Sequence, residues 1–150
     1  MRIYLAGPIT GLTFDAANDW RAAWTPAFVR AGHVVDSPLR HKEHLRPEGV
    51  LTSTFDEGRP ALKRDLWDID RADVVLVNLE GATETASIGT CCEIGYAYAF
   101  DKFIVVVSPR GVHNHLFINE MASIIVHDMH DAYSWINGME LPACSGVESP

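Results

Sequence analysis

Five short apolar runs, bounded by polar residues or turn formers, punctuate the chain: Arg2–Ala6, His33–Asp36, Val74–Val77, Phe103–Val107 and Ile124–His127. Runs of this length read as strands, and near-continuous apolar character points to burial on both faces. Helical periodicity fills the intervals. Thr13 can cap a helix that runs to about Arg30 and ends at Gly32, with Trp20, Ala23, Trp24, Ala27 and Phe28 as its apolar stripe. Pro26 sits inside that pattern and predicts a kink or a split. A second helix is expected over Pro60–Ala72, striped by Leu62, Leu66 and Ile69. A third should begin near Ser87 and end near Asp101, a short fourth should cover Leu116–Ala122, and a fifth should start at about Asp131, with Asp128 and Asp131 both suited to a helix start. Strand–helix alternation throughout predicts an α/β fold. The expected form is a single-domain, Rossmann/flavodoxin-like three-layer sandwich with a parallel sheet of about five strands. Residues 1–140 would form that domain, and residues 141–150 a frayed tail.

Two stretches fall outside the periodic pattern. Gly7-Pro8-Ile9-Thr10-Gly11 is a tight turn directly after the first strand, where glycines let main chain approach a ligand closely. It lacks the Gly-Lys-Ser/Thr ending of a phosphate-binding P-loop and the spacing of a dinucleotide fingerprint. Residues 39–60 form the longest irregular stretch and carry Arg40, Lys42 and Arg46 in an otherwise acidic chain. Such a loop suits a flap over a crevice, reaching a substrate's phosphate or base, although a solvated excursion explains any single residue in it equally well. His41 and His44 have helical spacing for a metal pair but no supporting cluster, so no metal site is expected.

The third helix carries the unusual residue. Glu93 stands alone among Cys91, Cys92, Ile94, Gly95 and Ala97 in a helix that should pack on a sheet. An unpartnered buried carboxylate is costly, so such an acid pairs, reaches solvent at an edge, or does chemistry. Its place, in the second turn after a strand, lies at the carboxyl edge of the sheet, where open α/β sheets bind ligands. Ser87 suits the N-cap, and the positive helix end would help keep Glu93 ionised as a nucleophile. Asp65, Asp68 and Asp70 crowd the preceding helix, and Asp68 and Asp70 read as solvated.

Composition narrows the classes. Hydrophobic residues make up 47% and charged residues 21%, which excludes a disordered chain. A net charge of −8 argues against nonspecific binding to nucleic acid, though not against a small anion held by local dipoles. No apolar run reaches membrane-spanning length, and no signal peptide is expected. Three cysteines, two of them adjacent, make neither a disulfide framework nor a metal spacing, so a reducing, cytoplasmic setting is expected, with no cofactor.

Three segments together resemble the nucleoside 2-deoxyribosyltransferase superfamily, which includes the nucleoside 5'-monophosphate N-glycosidases. They are Tyr4-Leu5-Ala6-Gly7-Pro8-Ile9, Asp65 ahead of Ala72-Asp73-Val74-Val75, and Gly89-Thr90-Cys91-Cys92-Glu93-Ile94-Gly95-Tyr96-Ala97. The resemblance implies that Glu93 attacks the anomeric carbon and that Asp65 protonates or orients the leaving base. Gly7, Ile9 and Thr10 would line the sugar and base pocket, and Tyr4 would pack in the first strand. Two carboxylates flanking one bond suit an oxocarbenium-like transition state. Position 87, six residues before Glu93, is Asp in the nucleoside transferases and Ser in the nucleotide hydrolases. Ser87 beside the Gly89 and Thr90 amides makes an anion site at a helix N-terminus, whereas Asp would repel a phosphate. The expected activity is therefore cleavage of the N-glycosidic bond of (deoxy)nucleoside 5'-monophosphates.

Asn119-Glu120-Met121 pulls the other way. It resembles the Asn-x-Met segment that nucleoside transferases lend across a dimer interface to a neighbour's sugar. That likeness implies at least a homodimer with shared sites and keeps base exchange on unphosphorylated deoxynucleosides open. A non-catalytic nucleotide-sensing domain is the alternative of a different class. Glu93 and Asp65 argue against it, because a pure binder has little use for two acids aimed at a sugar and phosphate.

Overall fold

The computed structural model describes residues 1–52, 58–80, 87–109 and 115–139. The expected tail, the end of the long loop and the turn after Val107 lie wholly or largely outside these residues. Strands β1 (Arg2–Ala6), β2 (Val34–Asp36), β3 (Val74–Asn78), β4 (Phe103–Val107) and β5 (Ile124–Val126) build one sheet. Helices α1 (Phe14–Arg30), α2 (Gly58–Arg71), α3 (Ile88–Ala99), α4 (Leu116–Met121) and α5 (Met129–Gly138) connect or follow them. The sheet is five-stranded, in the order β2-β1-β3-β4-β5, and every pairing is parallel. This is the expected three-layer, flavodoxin-like arrangement.

Strand alternation divides the core into two layers. Tyr4, Ala6, Val75, Val77, Ile104 and Val106 face Ile69 of α2, Ile94 and Ala97 of α3, and Ile118 of α4. Ile3, Leu5, Val74, Leu76, Val105 and Val107 face Phe28 of α1 and Met129, Ala132 and Ile136 of α5. Apart from Arg2 and Phe103 at their starts, the three central strands are buried, which explains why their sequences read as apolar runs.

The structure departs from the sequence expectations at several points. Helix α1 continues through Pro26 without a break. Phe28 anchors its far end in the core, and the Thr25 hydroxyl donates to the Arg21 carbonyl at 2.6 Å beside the ring. Its buried stripe is Phe14, Ala17, Arg21 and Phe28, with Trp24 partly buried, while Ala23 is exposed. The stripe thus includes an arginine. Leu62 of α2 is also exposed, and Ile69 carries that helix's packing. Within the irregular loop, Glu43–Glu48 forms a 3₁₀ helix. Helix α5 starts at Met129, and of the two acids suited to its start Asp128 is the cap, accepting from the Asp131 amide at 2.8 Å.

Asp68 is the largest departure. It is only 1% exposed, not solvated, and receives both Arg40 Nη atoms at 2.6 and 2.9 Å. Arg40 also lies 4.0 Å from Asp36, and Arg46 pairs with Asp15 at 2.8 Å. Two of the three basic residues expected to reach a ligand are thus committed to anchoring the loop. Arg64 adds to the anchor, donating to the Pro38 carbonyl at 2.5 Å. Removing one partner of a buried pair leaves the other desolvated without compensation. Asp68→Ala should therefore lower the unfolding free energy by about 2–4 kcal/mol, the lower end reflecting the partly exposed Arg40. Urea denaturation checks this, and a loss below about 0.5 kcal/mol, typical of an exposed pair, would contradict it.

Candidate active site

Strand β1 ends at Ala6, and the chain turns at Gly7, whose φ is +156°. A Cβ there would lie 2.8 Å from the Asn78 carbonyl at the end of β3, so only glycine lets the turn lie against the neighbouring strand. Since β1 and β3 flank the point where the strand order reverses, the turn borders the crevice that such sheets use for ligands. Helix α3 closes another side. Ser87 caps it, accepting from the Thr90 amide at 3.2 Å and lying 2.8 Å from the Thr90 hydroxyl.

Together these elements enclose a cleft of about 350 Å³. Gly7, Ile9, Thr10, Asp65, Ser87, Gly89 and Glu93 all line it, joined by Lys42, Leu39 and Leu51 from the loop side. Of the catalytic and substrate-binding residues expected from the resemblance, all but Asn119 are gathered there, whereas Arg40 and Arg46 of the loop do not line it. Asn119 is exposed on α4 and does not line the cleft of its own chain.

Glu93 is half-buried, and its Oε1 accepts a 2.7 Å hydrogen bond from the hydroxyl of the fully buried Tyr4. Burial pushes the Glu93 carboxyl up to about 7; Asp65 adds to the rise, while the Tyr4 hydroxyl and the Arg21 cation oppose it. Burial thus works against the helix end, which was expected to help keep this acid ionised. Tyr4 itself is held well above its ordinary value by burial and by the neighbouring Glu93, so it stays a donor. Asp65 is also raised by burial, with Lys42 and Arg64 pulling it back; Arg64 Nη2 donates to its Oδ1 at 3.2 Å. Two carboxyls of raised proton affinity lining one cleft suit a nucleophile and a proton donor.

Tyr4 and Arg21 were missed as site residues, and both left a signal. A tyrosine in a doubly buried strand carries a hydroxyl that must find a partner. An arginine at an apolar-stripe position of α1 is buried by the same periodicity that buries Phe28.

A parallel α/β fold with paired acids in the switch-point crevice marks this as an enzyme-type scaffold. The sequence profile of the family Nucleoside 2-deoxyribosyltransferase matches residues 3–131, and the chain belongs to that family of enzymes. Among solved structures, a 2-deoxyribosyltransferase from Bacillus psychrosaccharolyticus is 25% identical, with a TM-score of 0.62 over 93% of each chain. The CMP N-glycosidase BcmB of Clostridium botulinum is 17% identical, with a TM-score of 0.58 over 91% of this chain and 99% of that one. A 2-deoxyribosyltransferase from Leishmania mexicana is 16% identical, with a TM-score of 0.67 over 93% and 99%. The last two likenesses speak for the fold. No curated protein is significantly similar in sequence. Among the described residues, no helix is long and apolar enough to cross a membrane.

Raising the Glu93 carboxyl from 4.5 to about 7 implies a stability cost with a definite pH signature. The native state binds this proton more tightly than the unfolded chain does. The cost therefore grows as pH rises from about 4.5 and is complete above about 7. Glu93→Gln keeps an acceptor for Tyr4 but removes the charge, so it should stabilise the protein by up to about 3 kcal/mol at pH 8. At pH 4 the gain should shrink toward zero. Thermal melts of both proteins across that range check the sign, and equal gains at both ends would contradict it.

Proposed function

We propose that this enzyme cleaves the N-glycosidic bond of (deoxy)nucleoside 5'-monophosphates through a covalent glycosyl-enzyme. The carrying observation is the convergence of Glu93, Asp65 and the Ser87-capped end of α3 on one cleft. Glu93 attacks the anomeric carbon as the bond to the base breaks, and the departing base takes a proton from Asp65. Positive charge developing on the sugar favours the ionised form of Glu93, and Asp65 supplies the proton in its acid form. Water then attacks the same carbon, gives its proton to Asp65 and releases Glu93, leaving (deoxy)ribose 5-phosphate. Tyr4 orients the nucleophile. The Gly7, Ile9 and Thr10 turn would border the sugar and base. Ser87 and the first-turn amides at Gly89 would receive the phosphate, since free amides and the helix dipole favour an anion.

Asn119 supports a second reading, base exchange by a nucleoside 2-deoxyribosyltransferase. Its exposure on α4, next to the exposed Leu116 and Phe117, fits a segment offered to another subunit. In that case the glycosyl-enzyme is captured by an incoming base instead of water. Either reading fits a homodimer that shares its sites across α4.

Free-base release from deoxynucleosides and from their 5'-monophosphates, with and without an acceptor base, tests the proposal. Wild type should release base from monophosphates, and Glu93→Ala should slow this by roughly 10³-fold or more. Ser87→Asp should weaken monophosphate use far more than use of nucleosides. Exchange on unphosphorylated nucleosides by the wild type would establish the transferase instead. Binding without release would leave a sensor. For the shared site, mixing Glu93→Ala with Asn119→Ala protein should restore activity that neither has alone; no restoration would mean each chain completes its own site.

A further inference from the structure

Arg21 is buried in α1 to 1% exposure, on the opposite face of the sheet from α2 and α3. Its nitrogens fan out along the main chain. Nε donates to the Leu5 carbonyl at 3.3 Å, Nη2 donates to the Gly7 carbonyl at 3.0 Å, and Nη1 donates to Ala17. The guanidinium lies over the Trp20 ring, 4.5 Å from its centroid. Leu5 and Gly7 bracket the end of β1, one residue beyond Tyr4 and just before the turn that lines the cleft. One side chain therefore grips the strand end that presents Tyr4 to Glu93 and the turn that borders the ligand.

Those carbonyls are neutral, and a methionine or leucine could fill the same apolar stripe without desolvating a cation. Burial does lower the guanidinium, to about 10, yet it remains charged at neutral pH, and the acid whose field opposes that fall most is Glu93. The groups facing Glu93 are Tyr4 from β1, Asp65 from α2 and Arg21 from α1, with Lys42 and Arg64 standing behind Asp65. Arg21 acts on it from across the sheet, and of these three it alone carries positive charge.

We infer that Arg21 is the positioning residue of the nucleophile: it clamps the Leu5–Gly7 strand end from behind and places a buried cation at the strand end that presents Tyr4 to Glu93. This rests on the proposed glycosyl-transfer role of Glu93. Arg21 touches no substrate and acts through the main chain and through its field. The same field opposes conversion of the Glu93 carboxylate into a neutral glycosyl ester and assists its release, so the counter-charge favours completion of the second half of the reaction.

The test compares wild type, Arg21→Met and Arg21→Lys, with folding verified by thermal melts. Two readouts are needed: the carboxyl ¹³C titration of Glu93, assigned with Glu93→Gln, and the pH profile of kcat/KM for base release. Loss of the cation should move the Glu93 titration and the acidic limb of the profile together, upward by about one pH unit, the low end for a nearby opposite charge. Arg21→Lys keeps the charge but cannot span both carbonyls. Its limb should stay near that of the wild type while KM rises through loosening of the Gly7 turn.

Coincident titrations in wild type and Arg21→Met would overturn the inference, whatever the activity. So would a lysine variant whose limb moves up by about one pH unit although it keeps the charge, and this arm stands even if Arg21→Met does not fold. Absence of base release by the wild type would remove the proposed reaction. The ¹³C titration would then still decide whether the Arg21 charge lowers the Glu93 titration.

Discussion

A carboxylate drawn out of water beside a tyrosine hydroxyl is the constraint around which this structure is arranged. Hydration is what keeps an ordinary glutamate acidic, and burial of Glu93 removes much of it. The fold answers with the Tyr4 hydrogen bond and a buried arginine behind the strand end, while the second acid, Asp65, adds to the rise. Each needs a different element to be in register. Tyr4 must point to the α3 face of β1, which strand alternation ensures only while β1 pairs in its observed register with β3. Gly7 must lie against Asn78, and α3 must begin at Ser87 so that Glu93 falls on the crevice side of the second turn.

The loop between β2 and α2 is held to this frame by charge instead of apolar packing alone. Asp68 reaches out of α2 to take Arg40, and Arg64 takes the Pro38 carbonyl, so the start of the loop is tied to the helix that carries Asp65. Leu39 and Leu51 then pack with Phe14 and Ala17 of α1 into a small third core. The cleft wall thus gets its shape from buried ion pairs, and Lys42 is left as the basic residue of this loop that lines the cleft. Buried pairs of this kind add little net stability over apolar packing, but they do define one geometry, which a wall beside reacting groups requires.

The fold class and most of the site were legible in the sequence for simple physical reasons. Continuous apolar runs announce strands buried on both faces, and 3.6-residue periods announce the helices that cover them. Glu93 declared itself as a lone acid on an apolar helix, and Asp65, Ser87, Gly89 and the Gly7–Thr10 turn were assembled into one cleft through the resemblance. What periodicity cannot convey is which polar groups meet. Asp68 looked like any helix acid until Arg40, distant in the chain, was folded against it.

The chain by itself determined the order of elements, their lengths and the carboxylates available for chemistry, because these follow from local pattern and residue type. Only the tertiary structure decided the state of those carboxylates. The partnership of Tyr4 with Glu93 spans 89 positions. The presence of Arg21 behind both depends on α1 packing across the sheet from α3. Proton affinity reflects burial and neighbours in space, and neither exists until the sheet has closed its ligand-binding edge.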